Sequence, residues 1–288
     1  MEKLEILKKD EFDIFLSREI NKVIFIGGPD TGKTTLIKNI ANFLFENKQD
    51  IYILDCDIGQ SNVGPPTTIG YAKLTEKIKD DFYLNPDKFY FVGSVTPVNC
   101  IIEFLTGISR INDYISKIRG KFLIDTTGYI KDIGISLKIH KIEILRPDFV
   151  ILLEKENELE YIIRFLKNST ISYRRIKIEN LPSKSLEERA DYRKARFFEY
   201  FQNLKEIELN LNDISVKIIN FKNTTDFLNI NLRNFLCSLK NEYFEDLSLG
   251  IIKMNEKERI KILVPEKTKT EKIKGITISN FLIGETIF

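Results

Sequence analysis

Cysteine and histidine are scarce in this sequence of 288 residues. Its three cysteines, Cys56, Cys100 and Cys237, form no CxxC pair, which fits a reducing compartment and argues against a disulfide framework or a zinc site. The single histidine, His140, lies in the helical run LKIHKIEIL, where we expect a surface or packing role. Neither residue type is therefore expected to bind a metal or to act in catalysis.

Long apolar runs and a strong net charge are also absent. The apolar runs, such as residues 23–26 and 149–153, have the length of strands, so we predict no membrane-spanning segment and no membrane partner. The first residues, MEKLEILKKDEFDIF, are charged and lack the apolar core of a signal peptide. The net charge is only +2, so any surface for nucleic acid must be a local patch. We expect a cytoplasmic protein, or a nuclear one in a eukaryote.

The first two thirds of the sequence alternate between strand and helix patterns. Five apolar runs read as strands: VIFIG, IYILDCD, FYFVGS, KFLIDTT and DFVILLE. Helical patterns follow near residues 34–45, 99–118, 131–143 and 158–167. This alternation predicts an α/β fold with a parallel sheet, helices on both faces and ligand-binding loops at the carboxyl ends of the strands.

The pattern changes after a long charged helix. Ser185 and Glu188 form a capping-box signature that begins this helix, which runs to about residue 203. The runs IELNL, SVKIINF, GIIKM, RIKILVP and ITISNFLIG then indicate strands, with one helical stretch near 226–240. We therefore predict an α/β domain over residues 1–204 and a small, mainly β domain over 205–288.

A phosphate-binding motif follows the first strand and begins a helix. The segment GGPDTGKT matches G-x-x-x-x-G-K-[ST], in which Lys33 reaches the β- and γ-phosphates and the Thr34 hydroxyl helps hold Mg²⁺. The stretch LEKEN at 153–157 lacks the N/T-K-x-D signature of GTPases, which favours ATP. The residues expected to surround the phosphates are Gly27, Gly28, Pro29, Asp30, Thr31, Gly32, Lys33, Thr34 and Thr35.

Two carboxylates follow the second strand. Because side chains alternate along a strand, Asp55 and Asp57 point the same way, and Cys56 points to the opposite face. Two carboxylates beside a P-loop repel each other unless a cation or a substrate proton lies between them. The alternative is an ordinary Walker-B aspartate with a solvated neighbour.

The segment DCDIGQSNVGPP, which begins at Asp55, resembles the D-x-D-x-G-Q…PP segment of the polyribonucleotide 5′-hydroxyl kinases. This family includes the kinase subunit of the eukaryotic pre-mRNA cleavage machinery, the nucleolar pre-rRNA kinase and smaller archaeal relatives. GSVTPVN from Gly93 resembles its clasp over the nucleotide, and DTTGY from Asp125 resembles its N/D-T-x-G-W segment, with Tyr129 where a tryptophan is common. The segment from Arg189 to residue 201 resembles its lid, R-x-x-x-R followed by R-F-x-x-Y-F.

The resemblance covers residues 22 to about 203. It implies a P-loop NTPase sheet with an arginine-bearing helical lid and a small C-terminal β domain. It also implies ATP-dependent, Mg²⁺-dependent phosphorylation of RNA 5′-OH ends, with DNA ends left open. The catalytic residues that it implies are Lys33, Asp57, Arg189 and Arg193.

Further roles follow from the same resemblance. Asp55 would join Thr34 on the metal, although the two carboxylates could exchange roles. Nucleotide contacts are implied for Thr96 and Asn99. RNA contacts are implied for Gln60, Thr127, Tyr129 and Arg196.

Charge around the lid supports a nucleic-acid partner. Ten basic and four acidic residues lie between positions 164 and 196, a net charge of +6 in a chain whose total is +2. The alternative is a solvated helix whose arginines pair with Glu187, Glu188 and Asp191. Two other functions stay open: an ATP-binding scaffold subunit of an RNA-processing complex, with protein partners, and a kinase for a small hydroxylated metabolite.

Overall fold

The structure is a computed structural model that describes residues 9–179, 182–221, 230–256 and 258–284, with the backbone alone at 9 and 10. The first part contains a 3₁₀-helix, Lys9–Leu16, and these elements: β1 Lys22–Gly27, α1 Lys33–Glu46, β2 Ile51–Cys56, β3 Thr68–Lys73, β4 Lys88–Phe91, α2 Ile101–Ile115, β5 Lys121–Thr126, α3 Ile133–Leu145, β6 Phe149–Glu154, α4 Glu160–Leu166, β7 Ser172–Lys177 and α5 Leu186–Tyr200. The second part contains β8 Leu204–Asn210, β9 Ser215–Ile219, β10 Phe235–Lys240, β11 Asp246–Glu256, β12 Arg259–Pro265 and β13 Gly275–Leu282.

The first sheet has seven strands in the order β4-β3-β2-β5-β1-β6-β7. The strands from β2 to β7 in this order are parallel, and β3 pairs antiparallel with both β2 and β4. The predicted parallel α/β sheet is confirmed, with two additional strands, β3 and β7, that the apolar pattern did not indicate. β7 lies at an edge and exposes most of its side chains, so its sequence SYRRIK contains no apolar run.

Alternate residues of β1 pack into two hydrophobic cores, one on each face of the sheet. Ile24 and Ile26 pack with α2, α3 and α4, and Val23 and Phe25 pack with α1 and the first 3₁₀-helix. Both faces are therefore covered, as a parallel sheet requires. Strands β1, β2 and β5 are parallel neighbours in this sheet. The loops that follow them therefore all lie at the carboxyl edge of the sheet.

The second sheet has six strands in the order β8-β12-β11-β10-β13-β9, antiparallel except for the pair β13 and β9. The predicted C-terminal β region is confirmed. The helical stretch expected near 226–240 is wrong for residues 235–240, which form β10, and 222–229 lie outside the described residues. Strand β10 is hydrogen-bonded on both sides, by β11 and β13, and this pairing overrides its local helical pattern.

The two sheets share packing as well as having their own cores. Phe91 of β4, Phe197 of α5 and Leu249 of β11 belong to one buried cluster. α5 ends at Tyr200 and β8 begins at Leu204, so the change of architecture falls between these two residues, and we keep 1–204 and 205–288 as a proposed division. Among the described residues, none of the helices has both the length and the hydropathy needed to span a bilayer.

Candidate active site

The P-loop occupies the turn between β1 and α1. Gly32 caps α1 with a φ of 79°, a left-handed conformation that a glycine adopts without steric cost. A side chain at Gly27 would place its Cβ 2.4 Å from the Leu153 carbonyl oxygen, so the chain passes β6 too closely for any other residue. The N–H groups of the first turn of α1 have no acceptor within the helix, and they lie at the carboxyl edge of the sheet, as an anion site requires.

Lys33 is folded back onto the P-loop itself. Its Nζ donates to the carbonyl oxygens of Gly28 (2.7 Å) and Gly27 (3.2 Å). Burial lowers the pKa of Lys33, an effect that Asp125 and Asp57 oppose. The ammonium group thus lies at the base of a cleft of about 550 Å³, whose lining includes Thr34, Asp57, Gln60, Gly128, Arg189 and Tyr192.

Asp55 lies within β2 and Asp57 directly after it, and of these two carboxylates, which were predicted to point the same way, only Asp57 lines this cleft. Asp57 lines it and accepts hydrogen bonds on Oδ1 from the N–H groups of Gly59 (3.0 Å) and Gln60 (3.1 Å). Asp55 is buried, and its oxygens accept from the N–H groups of Asp57 (2.7 Å) and Asn62 (2.6 Å). Asp55 therefore supports the loop from beneath, and its role on a metal stays a prediction.

Burial affects the titration of this segment. It raises the pKa of Asp55, and the charges of Asp125 and Asp57 raise it further. Burial also raises the pKa of the Cys56 thiol to about 12, so this cysteine belongs to the core, as its position in the strand indicated.

Asp125 is a site residue that the sequence analysis did not assign. β5 lies between β2 and β1, so the end of β5 is beside the P-loop, and Asp125 Oδ2 accepts from the Thr34 hydroxyl at 2.7 Å. Burial raises the pKa of Asp125, whereas Lys33 lowers it. The sequence signals for it were an aspartate at a predicted strand end and the DTTGY segment that resembles the family's N/D-T-x-G-W segment, but neither shows that β5 lies beside the P-loop.

The Thr34 and Asp125 oxygens fit Mg²⁺, which prefers hard oxygen ligands and usually takes only one or two carboxylates from the protein. Within the described ranges, no group of three or more histidine, cysteine, aspartate or glutamate residues could hold a metal ion. A site completed by phosphate and water oxygens is the arrangement these residues suit.

The lid helix α5 begins as predicted. The Ser185 hydroxyl accepts from the Glu188 N–H at 3.1 Å, and the Glu188 carboxylate accepts from the Ser185 N–H at 2.6 Å. Arg189 then pairs with Asp30 of the P-loop at 2.6 Å rather than with an acidic residue of its own helix. Gln60 Nε2 donates to the Arg189 carbonyl oxygen at 3.1 Å, so the lid contacts both loops of the site.

The other two lid arginines differ from each other. Arg193 is half-buried, and its guanidinium makes no hydrogen bond or ion pair within the described part of the chain. Burial lowers the pKa of Arg193, and Arg189 lowers it further, whereas Asp57 raises it. Arg196 pairs with Asp81 (2.8 Å), and its guanidinium carbon lies 4.8 Å from the centre of the Tyr192 ring. Arg196 itself does not line the cleft.

The remaining predicted residues do not line the cleft. Thr96 precedes a 3₁₀-helix, Pro97–Asn99, and its N–H donates to Ser94 Oγ at 3.2 Å. Thr127 is buried and contacts Lys138, and Tyr129 is half-buried against Gly134. Between Thr127 and Tyr129, Gly128 does line the cleft.

Residues 27–203 match the family described as mRNA cleavage and polyadenylation factor CLP1 P-loop. The chain belongs to this family. Among curated CLP1-type relatives, the polyribonucleotide 5′-hydroxyl-kinase of Methanocaldococcus jannaschii is 37% identical over 195 residues, which are 68% of this chain and 54% of the relative. The corresponding Pyrococcus furiosus protein is 38% identical over 197 residues, 68% of this chain and 55% of the relative. The chain thus spans about half the length of the curated relatives it matches.

The CLP1 fold is also evident in a solved structure. A chain in the solved structure of the wild-type Clp1p–Pcf11p (454–563) complex superposes on this chain with a TM-score of 0.75 at 16% identity, covering 94% of this chain and 76% of that chain. The shared fold confirms the P-loop sheet together with the C-terminal sheet.

Within this CLP1 P-loop fold, the structure brings some predicted residues together and leaves others apart. The P-loop, Asp57, Gln60 and Arg189 line one cleft. Outside the P-loop, the predicted residues that do not line it are Asp55, Thr96, Asn99, Thr127, Tyr129, Arg193 and Arg196. The roles predicted for both groups stay predictions. The sequence analysis missed Asp125 and the pairing of Asp30 with Arg189, both of which join segments far apart in the chain.

Proposed function

We propose that this chain is an ATP-dependent polyribonucleotide 5′-hydroxyl kinase, which transfers the γ-phosphate of ATP to the 5′-OH end of RNA. The observation that carries the proposal is the cleft in which Lys33, Asp57 and Arg189 lie together. Phosphoryl transfer needs a phosphate cradle, a group that orients the attacking hydroxyl and positive charge around the moving phosphoryl group. The names of the archaeal relatives agree with this chemistry.

The P-loop would bind the triphosphate of ATP. Phosphate oxygens would accept from the N–H groups at the start of α1, and Lys33 would exchange the carbonyl oxygens of Gly27 and Gly28 for phosphate. Thr34 and Asp125 would hold Mg²⁺, which supplies positive charge to the β- and γ-phosphates. The absence of a GTPase signature at 153–157 supports ATP as the donor.

Asp57 is the proposed partner of the RNA 5′-hydroxyl. The N–H groups of Gly59 and Gln60 hold its Oδ1, which leaves Oδ2 to accept or orient the proton of the attacking hydroxyl. Asp55, with its oxygens bound by the loop, would keep Asp57 in place. Gln60 would contact the acceptor or its water from the same loop.

The lid would supply the remaining positive charge. Arg189 would exchange Asp30 for a phosphate oxygen, and Arg193, one helical turn further along α5, has a guanidinium that is already free of protein partners among the described residues. Arginines supplied in this way stabilise the charge that develops on the transferred group. We propose that Arg196, bound to Asp81 and stacked on Tyr192, anchors the lid instead.

Contacts with the RNA and with the far side of the nucleotide are further proposals. Tyr129 lies after β5 beside Gly128, from which its ring would stack on the terminal base. Thr127 would contact the same nucleotide. Thr96 and Asn99 would hold ATP from the segment that follows β4.

Transfer of labelled γ-phosphate from ATP to a 5′-OH RNA oligonucleotide tests the proposed function. We expect transfer by the wild-type chain and a loss of at least about 10³-fold for Lys33→Ala and for Asp57→Ala, with unchanged unfolding transitions. A 5′-OH DNA oligonucleotide of the same sequence measures acceptor preference. Tight ATP binding without any transfer would contradict the proposal and favour a nucleotide-binding scaffold, whose protein partner would then be sought.

A further inference from the structure

Helix α3 carries two lysines whose side chains are buried in the interior. Lys138 is 1% exposed and Lys141 is 0% exposed, and the two are three residues apart. Burying an ammonium group is costly unless it finds hydrogen-bond partners or a counter-charge. Two such residues on one helix beside a phosphate site therefore need separate explanations.

The surroundings of the two ammonium groups are different. Lys138 Nζ donates to the hydroxyls of Thr126 (3.2 Å) and Thr127 (3.1 Å) and to the Thr127 carbonyl oxygen, so all three of its N–H bonds have an acceptor. Among the residues that the structure describes, Lys141 Nζ has no hydrogen-bond partner, and it lies 4.5 Å from the centre of the Phe104 ring. Burial lowers the pKa of both lysines.

The acceptors of Lys138 belong to the segment that ends β5, and this segment contacts both strand β1 and the P-loop that follows it. The Thr126 hydroxyl, which accepts from Lys138, donates to the Phe25 carbonyl oxygen of β1 at 2.7 Å. Gly128 touches Pro29, because a Cβ at this glycine would lie 2.7 Å from the Pro29 nitrogen and Cα.

The same segment also reaches the start of α1. The Thr126 N–H donates to Asp125 Oδ1 at 2.7 Å, and Asp125 Oδ2 accepts from Thr34 at 2.7 Å. A displacement of residues 125–128 would therefore move the phosphate-binding turn and the Thr34 hydroxyl together. Lys138 is the side chain that ties this segment to α3, and it does not line the cleft.

We propose that Lys138 is a positioning residue for nucleotide binding: it holds residues 125–128 against the P-loop without touching the nucleotide. Lys141, which has no acceptor in the described part of the chain, has no such role. The inference rests on the proposed nucleotide site of this chain, but not on its proposed acceptor, RNA. It assigns a function to a buried lysine for which the phosphoryl-transfer chemistry itself has no use.

Calorimetric binding of ATP in the presence of Mg²⁺ tests the inference on the full chain. Lys138→Met and Lys141→Met form a matched pair, because each removes a buried ammonium from α3 and keeps the length of the side chain. We expect Lys138→Met to weaken ATP binding at least tenfold and Lys141→Met to stay within twofold of wild type. Equal effects of the two substitutions, whether small or large, would overturn the inference.

Thr126→Val gives a second test, which does not depend on the folding of Lys138→Met. It removes the hydroxyl that links Lys138 to Phe25 while it conserves volume, and we expect ATP binding to weaken about fivefold. The double variant should bind no more weakly than the worse single variant, because both changes break the same link. Independent losses that multiply, or a Thr126→Val variant within twofold of wild type, would contradict the positioning role.

The binding readout separates this inference from the proposed function. A chain that binds ATP and shows the expected difference between Lys138→Met and Lys141→Met, yet phosphorylates no RNA, would refute the kinase proposal alone. A wild-type chain that binds no ATP would overturn both.

Discussion

The two sheets of this protein differ in how they are buried and in what they carry. In the P-loop sheet, β5 and β6 are buried at every position, and five parallel strands end at the edge where the cleft lies. In the C-terminal sheet, β8 alternates between exposed and half-buried residues, and most neighbours are antiparallel. Parallel strands bring consecutive loops to one edge, whereas antiparallel hairpins send them to both ends. The P-loop sheet therefore brings the residues of the cleft together, and the C-terminal sheet supports the P-loop sheet from outside the cleft.

The C-terminal sheet contacts the P-loop sheet at the edge strand β4 and at the segment after it. Asn220 Nδ2 donates to the carbonyl oxygens of Val92 (3.3 Å) and Gly93 (3.2 Å). Gly93 has a φ of 73°, and a Cβ there would lie 2.6 Å from the Ser279 side chain, so the two sheets meet with no room for a side chain. The C-terminal sheet thus holds the chain that leads to Thr96.

The largest effect should come from the P-loop side of this comparison. We expect Arg193→Ala to lower kcat for phosphoryl transfer about 10³-fold and to weaken ATP binding much less, because a guanidinium that meets only the transferred phosphoryl group stabilises the transition state. Steady-state kinetics with saturating ATP and RNA measures it. Lys194→Ala, on the exposed face of the same helix, is the control and should stay within twofold. An unchanged kcat in Arg193→Ala would contradict the catalytic role of the lid and favour the alternative, in which α5 is a solvated surface helix.

The next effect should appear in the C-terminal sheet as stability rather than as rate. Asp246 is buried and accepts from Lys240 Nζ (2.6 Å), Ser238 Oγ (2.5 Å) and the Phe91 N–H (3.2 Å). Asp246→Ala leaves the Lys240 ammonium buried without its counter-charge, so we expect a loss of about 3 kcal/mol in the free energy of unfolding. Urea unfolding at pH 7 measures this loss.

The matched control for Asp246→Ala is Glu206→Ala, which removes an exposed partner of Lys261 in the same sheet and should cost less than about 1 kcal/mol. In both variants, kcat of the folded fraction should match wild type. Equal destabilisation by the two changes, or a fall in kcat without a loss of stability, would contradict the division between site and support.

The smallest effect concerns acid pH at the contact between the sheets. The Tyr114 hydroxyl, which donates to Glu245 at 2.5 Å, lowers the pKa of Glu245 to about 2, with help from Asn241 and Lys88. Because the folded pKa lies below the ordinary value, the unfolded chain binds more protons between pH 4.5 and 2, and stability falls as pH drops through this window. Because the Glu245 side chain is partly exposed and solvent screens its interactions, we expect it to account for only about 1 kcal/mol of the stability lost between pH 5 and pH 3.

Urea unfolding at pH 5 and at pH 3 measures the contribution of Glu245. Glu245→Gln should remove it, and Tyr114→Phe should reduce it, because the hydroxyl is the main cause of the lowered pKa. If wild type and Glu245→Gln lose the same free energy between these pH values, the contact does not couple the two sheets through this carboxylate.

Local interactions made much of this protein predictable. The P-loop turn depends on Gly32 at a positive φ and on a buried strand before it, and the lid depends on a capping box between Ser185 and Glu188. These features join residues close in the chain, so their sequence patterns contain all the information that they need. Strands buried on both faces, such as β6, were equally clear because burial demands an unbroken apolar run.

Features that depend on neighbours distant in the chain were not predictable in the same way. β10 is a strand because β11 and β13 bind it on both sides, although its local pattern favoured a helix. The polar edge strand β7 showed no apolar run because its side chains are mostly exposed. In both cases the position in the sheet, and not the local sequence, decided the conformation.

The sequence by itself determined the fold class, the P-loop, the lid helix and the membership of the CLP1 P-loop family. Only the tertiary structure decided which side chains meet. Asp125 reaches Thr34 across 91 residues because β5 lies beside β1, and Arg189 reaches Asp30 across 159 residues because the lid lies over the P-loop. Sequence motifs reflect hydrogen bonds between residues that are close in the chain. Contacts between residues on different strands depend instead on the order of the strands in the sheet, which the packing of the whole chain determines.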